Sequence, residues 1–73
     1  MDTRITIDPA VHHGQPVIAG TRVPVAIVIG SLASGMATED VQREYGIERE
    51  DVQAALQFAA ETIGDDRYYP LSA

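Results

Sequence analysis

The spacing of Pro24, Gly35, Gly46 and Gly64 constrains this chain more than any other feature, because each stands where a helix is expected to begin or stop. Pro24 suits the first position of a helix, since its fixed φ fits and its missing N–H would have been unpaired there anyway. Gly35 suits the position just past a helix end, where a positive φ closes the last turn. Between them Val25, Val28, Ile29 and Leu32 follow the i, i+3, i+4, i+7 spacing, with Ile27 off that stripe, so this helix is apolar on more than one face. Thr38 is placed to cap a second helix over residues 39–45, whose first-turn acids complement the positive end of the helix dipole, and Gly46 ends it. Ile47 leads into a third helix over about residues 49–63, with Val52, Ala55, Leu56, Ala59 and Ile63 as its apolar stripe and Glu50, Asp51, Gln53 and Gln57 outside it. Gly64 is expected to stop that helix.

Ahead of Pro24 the pattern changes. Residues 3–7, Thr-Arg-Ile-Thr-Ile, are β-branched at four of five positions and end in Asp8-Pro9, which predicts a short strand and its turn. A second strand is expected at 16–18, after the turn residues His12, His13, Gly14 and Gln15, and Ala19-Gly20-Thr21 is a second break. Gly14 and Gly20 fit backbone positions that need an unusual φ. A lone ribbon is not stable in water, so it has to pack on the helices or pair with a second subunit. The expectation is one domain over residues 1–73: ribbon and turns over 1–22, a helical bundle over 23–64 and a mobile tail over 65–73. A chain of this size buries only about 60% of its unfolded surface, and oligomerisation, most simply a homodimer, is expected. Ile5, Ile7, Ile27 and Val28 are the candidate dimer contacts.

Charge is unevenly divided. The formal net charge is −6, yet Asp2, Arg4, Asp8 and Arg22 cancel up to Thr38, whereas from Glu39 onward nine acids face Arg43, Arg49 and Arg67. That is the wrong sign for a protein held on nucleic acid by charge alone. The uncharged run over residues 23–38 is shorter than the roughly 20 apolar residues of a membrane span. With no cysteine and no N-terminal export pattern, the cytoplasm is the expected compartment.

Two helices joined through a tight glycine turn, with Ile47 pinning it, make a helix-turn-helix arrangement. Gly14, Pro16, Ile18, Gly20-Thr21-Arg22 and Val25, then Gly35-Met36, Tyr45, Asp51-Val52, Ala55-Leu56 and Ala59, resemble the family of small bacterial proteins known as domain of unknown function 433. The G-x-P-x-I-x-G-T-R element is the most distinctive part, and the likeness runs in register over about residues 5–60. It implies a mainly α fold, a three-helix homeodomain-like helix-turn-helix with an N-terminal β element. It also implies a role as antitoxin beside a PIN-like ribonuclease toxin. Gln15 stands where members often carry a basic residue. Glu48 stands where a threonine or serine would cap the third helix, a difference worth about 1 kcal/mol at the helix start.

Several residues are candidates for contact. Gln53 and Gln57, one turn apart, are side chains that a recognition helix offers to base edges, because glutamine pairs bidentately with adenine. Arg49, Arg43, Arg22 and Arg4 are the candidate phosphate ligands. For Arg22 an ion pair with Asp8 or an acid of the third helix, fixing ribbon to bundle, is the favoured reading over a phosphate contact. Glu48, Glu50 and Asp51 beside the glutamines would repel phosphates, and an ordinary solvated helix face is the competing reading. The acidic surface suits the cationic channel of a ribonuclease, and Tyr68, Tyr69, Pro70 and Leu71 are the candidate anchors on that partner, or else fold back on their own dimer. Adjacent His12 and His13 cannot easily share an ion, and no partner completes a metal set. Ser31, Ser34 and Ser72 have no base near them in sequence, so neither an enzyme nor a cofactor is expected. A stand-alone transcriptional regulator and a protein interaction module without DNA are the alternative functions.

Overall fold

Strand β1 (Ile5–Ile7) runs antiparallel to β2 (Pro16–Ile18), with Ile5 opposite Ile18, Thr6 opposite Val17 and Ile7 opposite Pro16. A computed structural model describes residues 4–10 and 12–65, and Thr3, expected in the first strand, lies outside them. The Asp8 carboxylate accepts the Ala10 N–H at 2.9 Å, an Asx-type turn that takes the chain out of β1. The path into β2 is a 3₁₀ turn, His12–Gly14, in which His13 (φ 57°) and Gly14 (φ 82°) both take the left-handed conformation.

The turn after β2 is organised by Thr21. Its hydroxyl donates to the Ile18 carbonyl at 2.7 Å and accepts the Val23 N–H at 3.0 Å, while the Ile18 N–H donates to the Val23 carbonyl at 2.8 Å. Gly20 supplies the positive φ, 78°, that the reversal needs. Val17 forms a bridge with Pro24, so β2 is flanked on both sides.

Helix α1 (Val25–Ala33) starts one residue later than expected. Pro24 is its N-cap, with ψ 143°, and its carbonyl accepts from Ile27 and Val28. The extended ψ lets the same residue reach Val17. At the other end Gly35 (φ 106°) donates to the Leu32 carbonyl and Met36 to the Ser31 carbonyl, the paired bonds of a Schellman stop. Helix α2 (Thr38–Tyr45) has Ala37, not Thr38, as its N-cap. The Ala37 carbonyl accepts from Asp40 and Val41, which puts Thr38 inside the first turn with no side-chain cap bond. Gly46 (φ 66°) closes α2, and the Ile47 N–H donates back to the Gln42 carbonyl at 3.1 Å.

Helix α3 (Arg49–Asp65) continues through Gly64. Unlike Gly35 and Gly46, Gly64 does not take a positive φ, so glycine at that position permits a stop without imposing one.

The three helices and the ribbon enclose one core of Ile5, Ile18, Val25, Val28, Val41, Ile47, Val52, Ala54 and Ala55, with Val23, Ile29, Leu32, Met36, Tyr45 and Phe58 packed around it. Each fully buried aliphatic such as Ile18, Val28, Val41 or Val52 contributes about 1.5–3 kcal/mol of hydrophobic stabilisation. Tyr45 ties α2 to α1 through a 2.9 Å hydrogen bond between its hydroxyl and that of Ser31. The ribbon therefore packs on its own helices, through Ile5 and Ile18.

Burial on α3 also departs from the expected stripe. On α3 the buried face includes Asp51, Val52, Ala54 and Ala55, whereas Leu56 (47% exposed) and Ile63 (56%) point outward. Of the four candidate dimer contacts, Ile5 and Val28 are buried within the chain, and Ile7 and Ile27 are about half exposed.

Candidate functional site

The start of α3 carries the densest set of charged contacts among the described residues. The Glu48 carbonyl accepts the N–H groups of Asp51 and Val52 at 3.0 and 3.2 Å, which makes Glu48 the N-cap residue. Its side chain is not the usual short hydroxyl or amide. Instead the Asp51 carboxylate reaches back, with Oδ2 accepting the Glu48 N–H at 2.9 Å. This is the reciprocal half of a capping box, with aspartate in the place of the more frequent glutamate.

Arg4, at the head of β1, closes the arrangement. Its Nη1 donates to Asp51 Oδ1 at 2.9 Å and to Glu48 Oε1 at 3.1 Å. The Asp51 side chain is 13% exposed, that of Arg4 39% and that of Glu48 70%, so the contact grades from nearly buried to open. Hydrogen bonding to Asp51 first, and then to Glu48, holds the Arg4 guanidinium above its ordinary pKa and keeps it charged. On its backbone side the Arg4 carbonyl accepts the Ala19 N–H at 2.7 Å, so this residue joins sheet, loop and helix.

Next to this cluster Arg4, Glu50, Gln53, Ala54 and Gln57 line a shallow open groove of ≈340 Å³. Three of the six candidate DNA-contacting residues, Arg4, Gln53 and Gln57, therefore meet in one place, with Glu50 among them. Gln53 is exposed, and the Gln57 amide donates to Glu61 at 3.0 Å. The other three do not line the groove. Arg49 is exposed at the start of α3, Arg43 on α2 is ion-paired with Asp40, and Arg22 is exposed in the loop after Gly20. Among the described residues the helix-anchoring ion pair considered for Arg22 is made by Arg4 instead.

The role of Asp51 went unrecognised in the sequence, although its position three residues after Glu48 has the capping-box spacing. Arg4, a candidate phosphate ligand by sequence, instead has Asp51 and Glu48 as partners, a long-range pairing that its position just before β1 does not reveal. Tyr68, Tyr69, Pro70 and Leu71 lie outside the described residues. No group of three or more His, Asp or Glu among the described residues is arranged to hold a metal ion, and no described helix is long and apolar enough to cross a membrane.

Fold and site together define a mainly α domain, three helices with an N-terminal two-stranded antiparallel sheet pinned to the start of the last helix. The chain belongs to the family described as "Protein of unknown function (DUF433)", which matches residues 5–59. A Mycobacterium tuberculosis protein named "Putative antitoxin VapB45" is 36% identical over 59 residues, 81% of this chain and 25% of that protein. The crystal structure of Rv2018 from the same organism matches with 36% identity and a TM-score of 0.65 over 71% of this chain and 24% of that one. The crystal structure of a DUF433 member from Anabaena variabilis matches with 29% identity and a TM-score of 0.79, over 90% of this chain and 67% of that one. The chain thus spans about a quarter of the length of the mycobacterial relative named as an antitoxin.

Proposed function

We propose that this chain is an antitoxin-type protein that works by binding: it neutralises a PIN-like ribonuclease by direct contact and contributes to operator DNA binding. The observation that carries the reading is the solvent-facing acidity of α2 and α3. Glu39, Asp40 and Glu44 on α2, Glu48 just before α3, and Glu50 and Glu61 on α3 are all exposed, against Arg43 and Arg49. A nuclease that binds RNA lines its channel with positive charge, and a carboxylate-rich cover gains association rate and orientation from the complementary potential. The name of the 36%-identical relative points the same way. Tyr68, Tyr69, Pro70 and Leu71 supply apolar anchors for the partner, and copies of the chain associate through Ile7 and Ile27.

Co-expression with the neighbouring open reading frame tests this. The expected result is a complex that survives purification, silences the neighbour's ribonuclease activity and forms more slowly as salt is raised. A neighbour that is no nuclease, or that never associates, removes the proposal.

The groove of Arg4, Gln53 and Gln57 favours a second reading, a stand-alone regulator in which α2, the Gly46 turn and α3 act as a helix-turn-helix. A gel shift on upstream DNA with and without the partner separates the two, since a stand-alone regulator binds tightly alone and an antitoxin needs the extra contacts of its partner.

A further inference from the structure

We infer that Arg4 is a latched phosphate ligand: Asp51 and Glu48 hold its guanidinium in the free protein, and the groove beside α3 gains its cation for nucleic acid only when that hold is released. The inference rests on the DNA-contact part of the proposed function and adds a regulatory step to it.

The geometry supplies the argument. Arg4 lines the same groove as Gln53 and Gln57, the two side chains suited to base edges, and it is the cation among the groove's lining residues. A phosphate bound there would meet Arg4 first. Yet Nη1 is already shared between Asp51 Oδ1 at 2.9 Å and Glu48 Oε1 at 3.1 Å. Both are charge-assisted bonds, and two carboxylates on one guanidinium leave a local excess of negative charge. Glu50, also in the groove, adds to it. In the latched state the site repels a polyanion although it holds the donors that one needs.

The two carboxylates are held unequally. Asp51 is nearly buried and is tied to the Glu48 N–H, whereas the Glu48 side chain is 70% exposed, so that solvent competes with Arg4 for it. Release therefore starts at Glu48. A cationic side chain presented to Glu48 by a partner protein would compete with Arg4 for it, so engaging one macromolecule would prepare the site for another.

The test is a double-mutant cycle on the full chain, read as affinity for a mixed-sequence DNA duplex over a range of salt concentrations. Glu48→Gln with Asp51→Asn neutralises the latch; the asparagine carbonyl still accepts the Glu48 N–H, and thermal melts check that the fold survives. Glu48→Gln alone, at an exposed side chain, serves as the second variant. Arg4→Met is made in each background. In the wild type Arg4→Met is expected to weaken binding only modestly, through the carboxylates it leaves uncompensated; in the neutralised background it is expected to weaken binding by about tenfold and to lower the salt slope by about 0.9. An equal loss in both backgrounds overturns the latch while leaving DNA contact by Arg4 intact. No loss in either makes Arg4 a structural pin and also overturns it. Absence of duplex binding in every variant, even at low salt, removes the DNA-contact reading and the latch with it.

Discussion

Asp51 bears more of the local structure than any other charged side chain among the described residues. It is the one buried polar residue there, caps the start of α3 through the Glu48 N–H, and carries the ion pair that anchors β1. Removing it leaves the helix start without a side-chain cap and takes from Arg4 the less exposed of the two carboxylates at the helix start. Asp51→Ala is expected to cost about 1–2 kcal/mol of stability in urea denaturation, whereas Glu50→Ala, exposed and one position earlier, stays within about 0.5 kcal/mol. Equal effects would mean that the cap geometry contributes nothing. Arg4 gives a second expectation at this scale. Its pKa is raised, so its stabilising charge is complete below the unfolded value and is lost only as pH rises through the still higher folded one. The loss caused by Arg4→Met should then be constant through the neutral range and should shrink with added salt, which screens a partly exposed pair. A dependence on neutral pH would contradict this assignment.

At the scale of elements, glycine acts in two opposite ways. Gly46 ends α2 at φ 66°, where an L side chain is strained, although a Cβ there would meet nothing within 4 Å. Gly46→Ala is expected to destabilise by about 1 kcal/mol through backbone strain. Gly64 lies inside α3 with equally open surroundings and no positive φ, so Gly64→Ala should stabilise by up to about 1 kcal/mol, less where the helix frays. Thermal melts of the two variants should move in opposite directions; a shared sign would disprove the distinction. This contrast also shows what the sequence could reveal. Pro24, Gly35 and Gly46 delimit α1 and α2 to within a residue, and both strands were legible from β-branching and turn residues. The orientation of α3 was not. Leu56 and Ile63 share a helical period with Val52 and so look like core, but α3 buries Asp51, Val52, Ala54 and Ala55, with Asp51 meeting Arg4 beside the ribbon. Periodicity places residues on a common face without saying which face is covered. In the candidate site Gln53 and Gln57 were legible as an exposed polar pair. That Arg4 would join them, and Arg22 would not, depends on how β1 docks, a contact spanning 47 positions of sequence.

At the scale of the whole molecule, the first helix does not need a twin to cover it. Val25 and Val28 are buried by the chain's own ribbon and helices, so any association of copies has to use what that core leaves out. Ile27 on α1 and Ile7 on β1 are each about half exposed, and both are β-branched apolar side chains that gain from burial. A domain this small has little stability in reserve, and association that covers such residues adds to it by mass action. Association and folding are then linked: the melting temperature of a dimer rises with protein concentration, whereas that of a monomer does not. The wild type is expected to show that rise and to sediment as a dimer. Ile27→Glu should abolish both, because a carboxylate would have to lose its hydration to enter the interface, yet it should leave the helical circular dichroism intact, since Ile27 contributes little to the internal core. Leu56→Glu, on another helix, should leave the concentration dependence unchanged. A wild-type melting temperature independent of concentration, together with a monomeric sedimentation profile, would show that Ile27 faces solvent or a different protein.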